Sequence, residues 1–216
     1  MGRQIEKKLL HQQVYEILKS DILIGKLGCG EKLNENLIAQ NLGVSRSPVR
    51  EAIRMLEQDE LVVLGTAGTI VNPLENRMME ELYECRVVME SYAVRLATLI
   101  YTKEQLEELH CLLDESARAF DEGRIDDVIQ CNTEFHLLLI MPCRNDRLIR
   151  TIKKYQELSF LARKQEFYAF HKGNFFIGEH RKILEVIEKK DPDEVEAYMR
   201  IHLQNDLEFY RNNVSR

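Results

Sequence analysis

No stretch of this 216-residue chain approaches the roughly 20 consecutive apolar residues that a membrane span needs, so no transmembrane helix is expected. The first residues, Met-Gly-Arg-Gln-Ile-Glu-Lys-Lys, lack the apolar stretch of a secretory signal. Paired cysteines are missing too: Cys29, Cys85, Cys111, Cys131 and Cys143 are odd in number and scattered, with no Cys-x-x-Cys. That excludes a zinc knuckle, argues against a disulfide frame, and fits reduced thiols in the cytoplasm. Internal repeats and low-complexity tracts are also absent. With 44% hydrophobic and 31% charged residues, whole-chain disorder is excluded in turn.

An excess of basic charge, the usual mark of a nucleic-acid partner, is lacking as well: the net charge is −6. The deficit is uneven. Residues 1–72 carry 9 basic and 9 acidic groups, while the remainder carries 21 and 27. All the surplus acid falls after residue 72, which leaves the first segment able to meet DNA.

The first segment reads as helix, short helix, turn, helix, hairpin. Leu10, Val14, Ile17 and Leu18 are spaced as one helical face, expected to be buried, ending near Gly25. Asn34 is a candidate N-cap for a short helix burying Leu37, Ile38 and Leu42, and Gly43 fits a left-handed C-cap. Pro48, tolerated only in a first helical turn, fixes the start of the third helix near Ser45 or Ser47. Leu61–Leu64 and Thr69–Val71 flank Gly65-Thr-Ala-Gly68 as a hairpin.

After Pro73 strand signals vanish, and six helices are expected at about 75–100, 103–121, 125–140, 146–169, 176–189 and 192–212. Thr102 to Gln105 is a capping-box pattern, and Asp191-Pro192 is a cap followed by proline at N1. The fold expected is mainly α: a winged helix-turn-helix of three helices and a β-hairpin over 1–72, then an all-α antiparallel bundle of about six helices over 73–216.

On the third helix Val49, Ala52, Ile53 and Leu56 make the inward stripe, while Arg46, Arg50 and Arg54 recur every four residues on another face. At 3.6 residues per turn they drift only about 40° per step. Such a face can be a solvated one paired with Glu51 and Glu57, or a recognition helix whose guanidiniums read guanine in a major groove. The flanking short helix and hairpin favour recognition.

In the bundle, Asn132 and His136 share a helix face at i and i+4. His180 and His202 each lie 11 residues from Asp191, so in an antiparallel hairpin they stand at the same height, about 16 Å from the turn. Three imidazoles and one amide oxygen suit a transition metal such as Zn, Ni or Mn rather than Ca; the plainer alternative is a set of hydrogen-bonded core histidines. Arg86 and Glu90, also i and i+4, are either a helix ion pair or, if Arg86 faces inward, a receptor for an effector carboxylate. His11, His110 and His171 read as surface or packing residues, Cys131 as a core thiol, and Met78, Met79, Met89 and Met141 as core filling.

Two resemblances sharpen this. Gly30-Glu-Lys-Leu33, Leu37-Ile-Ala39 and above all Leu42-Gly-Val-Ser-Arg-Ser-Pro-Val-Arg-Glu-Ala52 resemble the N-terminal domain of GntR-type bacterial transcription regulators. The likeness implies DNA contact by Arg46 and Arg50, with Ser47 and Arg54 on the same helix, and a wing glycine at Gly68. The wing, Gly65-Thr-Ala-Gly68, departs from the family in lacking the basic residue often found there. The second part is similar to the FCD domain of the FadR-like branch, whose Asp/Asn-x3-His, later His, later His pattern falls on Asn132, His136, His180 and His202. Asn for the commoner Asp lowers the charge donated to a dication. The likeness also implies an effector contact at Arg86.

The function expected is that of a cytoplasmic regulator, with repression as the expected sign. A homodimer would place two recognition helices on a palindromic operator in double-stranded DNA, under control of a small carboxylate metabolite at the metal. An enzyme is not expected. A metal-dependent hydrolase is the competing class, weakened because no general base stands out, and a pure metal sensor is a third reading.

Overall fold

The computed structural model describes residues 9–66 and 68–214; the leader reading at residues 1–8 and Ala67 of the wing fall outside the described residues. The chain forms two compact units, Met1–Leu74 and Glu75–Arg216.

In the first unit, α1 (Leu10–Leu23), α2 (Glu35–Leu42) and α3 (Arg46–Gln58) precede an antiparallel hairpin of β1 (Val62–Gly65) and β2 (Gly68–Val71). The Asn34 side chain accepts from the backbone N–H groups of Asn36 and Leu37, and Gly43 closes α2 at φ 64°, a left-handed angle that favours glycine. Ser45 is the N-cap residue of α3. Val49, Ala52, Ile53 and Leu56 are buried and fix which face of α3 remains outside.

Two expected stripes need correction. α1 buries Val14, Tyr15, Leu18 and Ile22, leaving Leu10 and Ile17 exposed; Tyr15 instead of Ile17 turns inward and donates its hydroxyl to Asp59. α2 buries Ala39 while Leu37 is exposed and Ile38 and Leu42 are half-buried, because an eight-residue helix offers too narrow a face to bury all three. The segment around Lys32, where no strand is expected from the sequence, pairs with β2 through an isolated bridge to Ile70, and Leu33 N–H donates to Thr69.

The second unit is all helical among the described residues: α4 (Asn76–Ala97), α5 (Lys103–Asp121), α6 (Ile125–Ile140), α7 (Asp146–Tyr168), α8 (Phe175–Glu188) and α9 (Pro192–Val214), with a 3-10 turn at Met141–Cys143. The Thr102–Gln105 capping box starts α5, and Asp191 caps α9 by accepting from the N–H groups of Asp193 and Glu194. α4 packs against α6, α7 and α9, and α8 against α5 and α9. Met79 is core, but Met141 is exposed because Pro142 breaks the helix there. The five cysteines are free, and no described helix is long and apolar enough to cross a membrane.

Candidate DNA-reading face and metal centre

The outer face of α3 carries the arginines. Arg46, Ser47, Arg50 and Glu51 line an open concavity at its N-terminal half. Arg46 reaches Glu35 at 3.4 Å and Arg54 pairs with Glu51 at 3.0 Å, both exposed contacts that a phosphate or a base edge can replace at little cost. Arg50 is exposed and makes no ion pair among the described residues. Gly68 has φ 118°, and a Cβ there would lie 3.4 Å from Lys32 Cε. The bridge to β2 therefore sets a basic side chain beside the wing, supplying from outside the hairpin the charge that the wing sequence lacks. Sequence spacing gave no sign of it.

In the second unit the side chains of His136 (α6), His180 (α8) and His202 (α9) converge and are all buried. His202 Nε2 lies 3.1 Å from His180 Nε2 and 3.3 Å from His136 Nε2. The outer nitrogens decide what these short distances mean. Glu90 lies 2.8 Å from His136 Nδ1, and Glu179 2.7 Å from His202 Nδ1. An ionised carboxylate only accepts, so both Nδ1 atoms carry hydrogen, and in the neutral imidazole, the form that binds metal, that leaves a lone pair on each Nε2. Two lone pairs at 3.3 Å repel unless they share a cation. Nitrogen ligands at 2.0–2.1 Å from tetrahedral zinc stand about 3.3 Å apart, and carboxylates on the outer nitrogens are the usual support of metal-bound imidazoles. The donor set fits a divalent transition metal.

Asn132 lies one turn before His136 on the same face of α6, buried, and its Oδ1 has no hydrogen-bond partner. His180 stacks on Phe135 with ring centroids 4.2 Å apart, which holds its ring plane. Arg86 is 1% exposed and points inward: its Nε donates to Glu90 at 2.7 Å, while Nη1 and Nη2 are buried without partners. One carboxylate thus orients both the guanidinium and a histidine. A second buried set adjoins: Lys172 donates to Glu166 and Asp206 at 2.6 Å each, Tyr83 donates to Glu166, and Asp206 comes within 3.7 Å of His202 Nε2. In the sequence, Asp206, at i+4 from His202, was open to the rule that pairs Asn132 with His136 and was missed, while no spacing rule links Glu166 to the histidines or Glu179 to His202, which it holds instead of its chain neighbour His180. Glu90 was visible there only as the neighbour of Arg86.

Burial, and next the charge of Arg163 and Arg86, pushes the His136 pKa well below its ordinary value; burial and the neighbouring histidines do the same to His180. Both are neutral in the folded chain, while an unfolded histidine protonates near pH 6.5. Below that pH the unfolded state binds more protons, so stability falls on acidification, by up to about 1.4 kcal/mol per pH unit for each group. Denaturant melts of metal-stripped protein at pH 7.5 and 5.5 should show the loss; equal stability at both would contradict it.

A winged helix with an arginine face, followed along the chain by a helical unit with a buried imidazole triad and an inward arginine fork, is the architecture of a DNA-binding regulator. Residues 10–71 match the family model of bacterial regulatory proteins, gntR family, and residues 81–205 match the FCD domain. The chain belongs to the GntR family of transcriptional regulators and carries a C-terminal FCD domain. It is 31% identical over 202 residues to YdhC, an HTH-type transcriptional regulator of Bacillus subtilis (strain 168), covering 93% of this chain and 90% of that one. It is 27% identical over 203 residues to the HTH-type transcriptional repressor RspR of Escherichia coli (strain K12), covering 94% and 89%. The solved structure of E. coli McbR/YncC shares the fold at a TM-score of 0.75 with 24% identity, over 95% of this chain and 99% of that one.

Proposed function

We propose that this regulator is a cytoplasmic homodimeric repressor whose hold on a palindromic operator is released by a small organic acid bound at a metal-containing site in the helical unit. The observation that carries the reading is the pair of carboxylate-backed imidazoles whose free nitrogens face each other at 3.3 Å, next to an arginine fork with two unpartnered donors. His136, His180, His202 and Asn132 would hold the ion, which is Zn, Ni or Mn by donor type. When bound it supplies positive charge to which an acid's carboxylate can bond. Arg86, desolvated and held by Glu90, receives the same acid through bidentate hydrogen bonds. RspR, named a repressor, supports the sign. The acid loosens DNA only insofar as it prefers the arrangement that does not fit the operator.

Arg46 and Arg50 read base edges from the open face of α3, and Gly68 with Lys32 forms the wing contact. Arg50→Ala should lose about 1–3 kcal/mol of discrimination at one base pair of each half-site. Binding to a randomised-base operator panel checks this, and an unchanged base preference would remove α3 from the reading role.

Asn132→Asp tests the fourth donor. An anionic oxygen in place of the neutral carbonyl should tighten zinc or nickel binding several-fold by calorimetry. Unchanged affinity would take Asn132 out of the coordination sphere.

A further inference from the structure

His136 and His202 are each backed by a carboxylate, Glu90 and Glu179, but His180 is not: its Nδ1 is buried without a partner. Its Nε2 lies 3.1 Å from His202 Nε2, which carries a lone pair because the His202 hydrogen is on Nδ1, facing Glu179. In metal-free protein the hydrogen between the two rings therefore belongs to His180 Nε2, and a bare lone pair is left on its Nδ1. An ion on Nε2 needs the opposite form, with the hydrogen on Nδ1. Of the three imidazoles, His180 alone has to change tautomer. Its Nδ1 calls for a donor without metal and an acceptor with it. The ring is not free to turn toward one, being stacked on Phe135 at 4.2 Å with Phe176 edge-on at 5.6 Å.

A hydroxyl both donates and accepts, and an unused one lies at the same level. The other buried serine and threonine hydroxyls among the described residues of the helical unit bond back to the carbonyl four residues earlier: Ser91 to Val87, Thr98 to Val94, Thr133 to Ile129 and Ser159 to Tyr155. Ser116 on α5, 1% exposed, does not, and its Oγ is buried with no partner. α5 and α8 run antiparallel, with His110 meeting Glu188 at 2.9 Å and Asp114 meeting Arg181 at 3.5 Å. Ser116, two residues beyond Asp114, therefore falls level with His180, one residue before Arg181. Along α5 it separates Leu113 of one apolar cluster from Ala119 of another, and along α8 His180 separates Ile183 from Ile177 of the same two clusters. The two groups share one layer. They are not in hydrogen-bond geometry with each other, and a turn about the serine's single side-chain torsion, or one water, closes the gap.

We propose that Ser116 is the positioning residue of His180, its hydroxyl donating to Nδ1 without metal and accepting from Nδ1–H when an ion is held at Nε2. This rests on the metal reading above and goes beyond it in assigning His180 a change of tautomer and Ser116 a part in it. A carboxylate in that place would only accept and would fix the hydrogen on Nδ1, as Glu90 and Glu179 do for their histidines. A metal-bound imidazole holds its N–H bond more strongly than a neutral one holds a bond to its lone pair, so losing the hydroxyl costs the loaded protein more.

The test uses full-length protein with isotope-labelled histidine, stripped of metal and then loaded with zinc, read by side-chain nitrogen NMR and by calorimetry. In the wild type the His180 hydrogen should move from Nε2 to Nδ1 on adding zinc, while His136 and His202 keep theirs on Nδ1. Ser116→Ala should shift the His180 Nδ1 resonance in both states and leave the Nδ1 resonances of His136 and His202 in place. It should also weaken zinc binding about 10–100-fold, the usual cost of losing a partner behind a ligand. The proposal is overturned by a His180 hydrogen already on Nδ1 without zinc, by a His180 Nδ1 resonance that Ser116→Ala does not move, or by a zinc affinity of that variant within about twofold of the wild type. A serine that only fills space, or that serves Asn132 alone, gives the last two results. Titration of the wild type separates the two levels. Failure to bind zinc removes the metal site and the role of Ser116 with it, whereas tight binding that Ser116→Ala leaves unchanged removes the Ser116 assignment alone.

Discussion

Saturating zinc or nickel should raise the melting temperature of the wild-type protein, and His180→Ala or His202→Ala should each erase that rise. An ion that binds only the folded state stabilises it by about 2.7 kcal/mol at a hundredfold excess over Kd. For a chain of this size each kcal/mol moves melting by about 2–4 °C, so the shift is several degrees. The loss should be complete because the three imidazoles come from α6, α8 and α9, and two of them cannot enclose an ion. His171→Ala should keep the full rise, since His171 is exposed and outside the triad. Each variant is compared with and without metal, so the cavity left by His180→Ala alters the baseline but cancels in the difference. A rise that survives both triad substitutions would place the ion elsewhere.

The second large effect concerns assembly. Val88 and Tyr92 are 60% and 47% exposed on α4, at i and i+4 on one side of the helix, and Leu99, 61% exposed, follows in the turn after it. An apolar stripe on a helix that buries its other face fits the seam of a two-fold dimer. Val88→Asp with Tyr92→Asp should leave the fold intact, both residues being exposed, and give a monomer by sedimentation at micromolar concentration. Operator affinity should then fall about 10²–10⁴-fold, because two tethered half-site contacts become one. A variant that stays dimeric and binds as before would move the interface to another face.

The sequence spoke most clearly where local rules act alone. The caps at Asn34, Thr102 and Asp191, the breakers at Gly43 and Pro192, and the inward stripe of α3 depend on neighbours within a turn, and the helices follow them. The convergence of His180 with His202 was also legible, since equal distance from Asp191 is simple hairpin arithmetic. Leu10, Ile17 and Leu37 were misread because a short helix with apolar residues on several sides has more than one plausible stripe, and the small domain around it selects one. Glu90 shows the other limit. Its place beside Arg86 is helical spacing, but its hold on His136, 46 residues away, exists only once α4 and α6 pack. Arg163 was lost among the other basic residues of α7, Arg147, Arg150, Lys153, Lys154 and Lys164, and burial alone singles it out.

The most direct measurement is fluorescence anisotropy of full-length protein on an operator selected from a random duplex pool, with and without zinc and with and without a panel of small organic acids such as acetate, lactate and succinate. The expected result is operator affinity that falls by about 5–150-fold when acid is added to zinc-loaded protein, the usual range of coupling between sites, and does not change when acid is added to His202→Ala. Operator affinity that is the same in the wild type with zinc, without zinc, and with every acid tested would contradict the account.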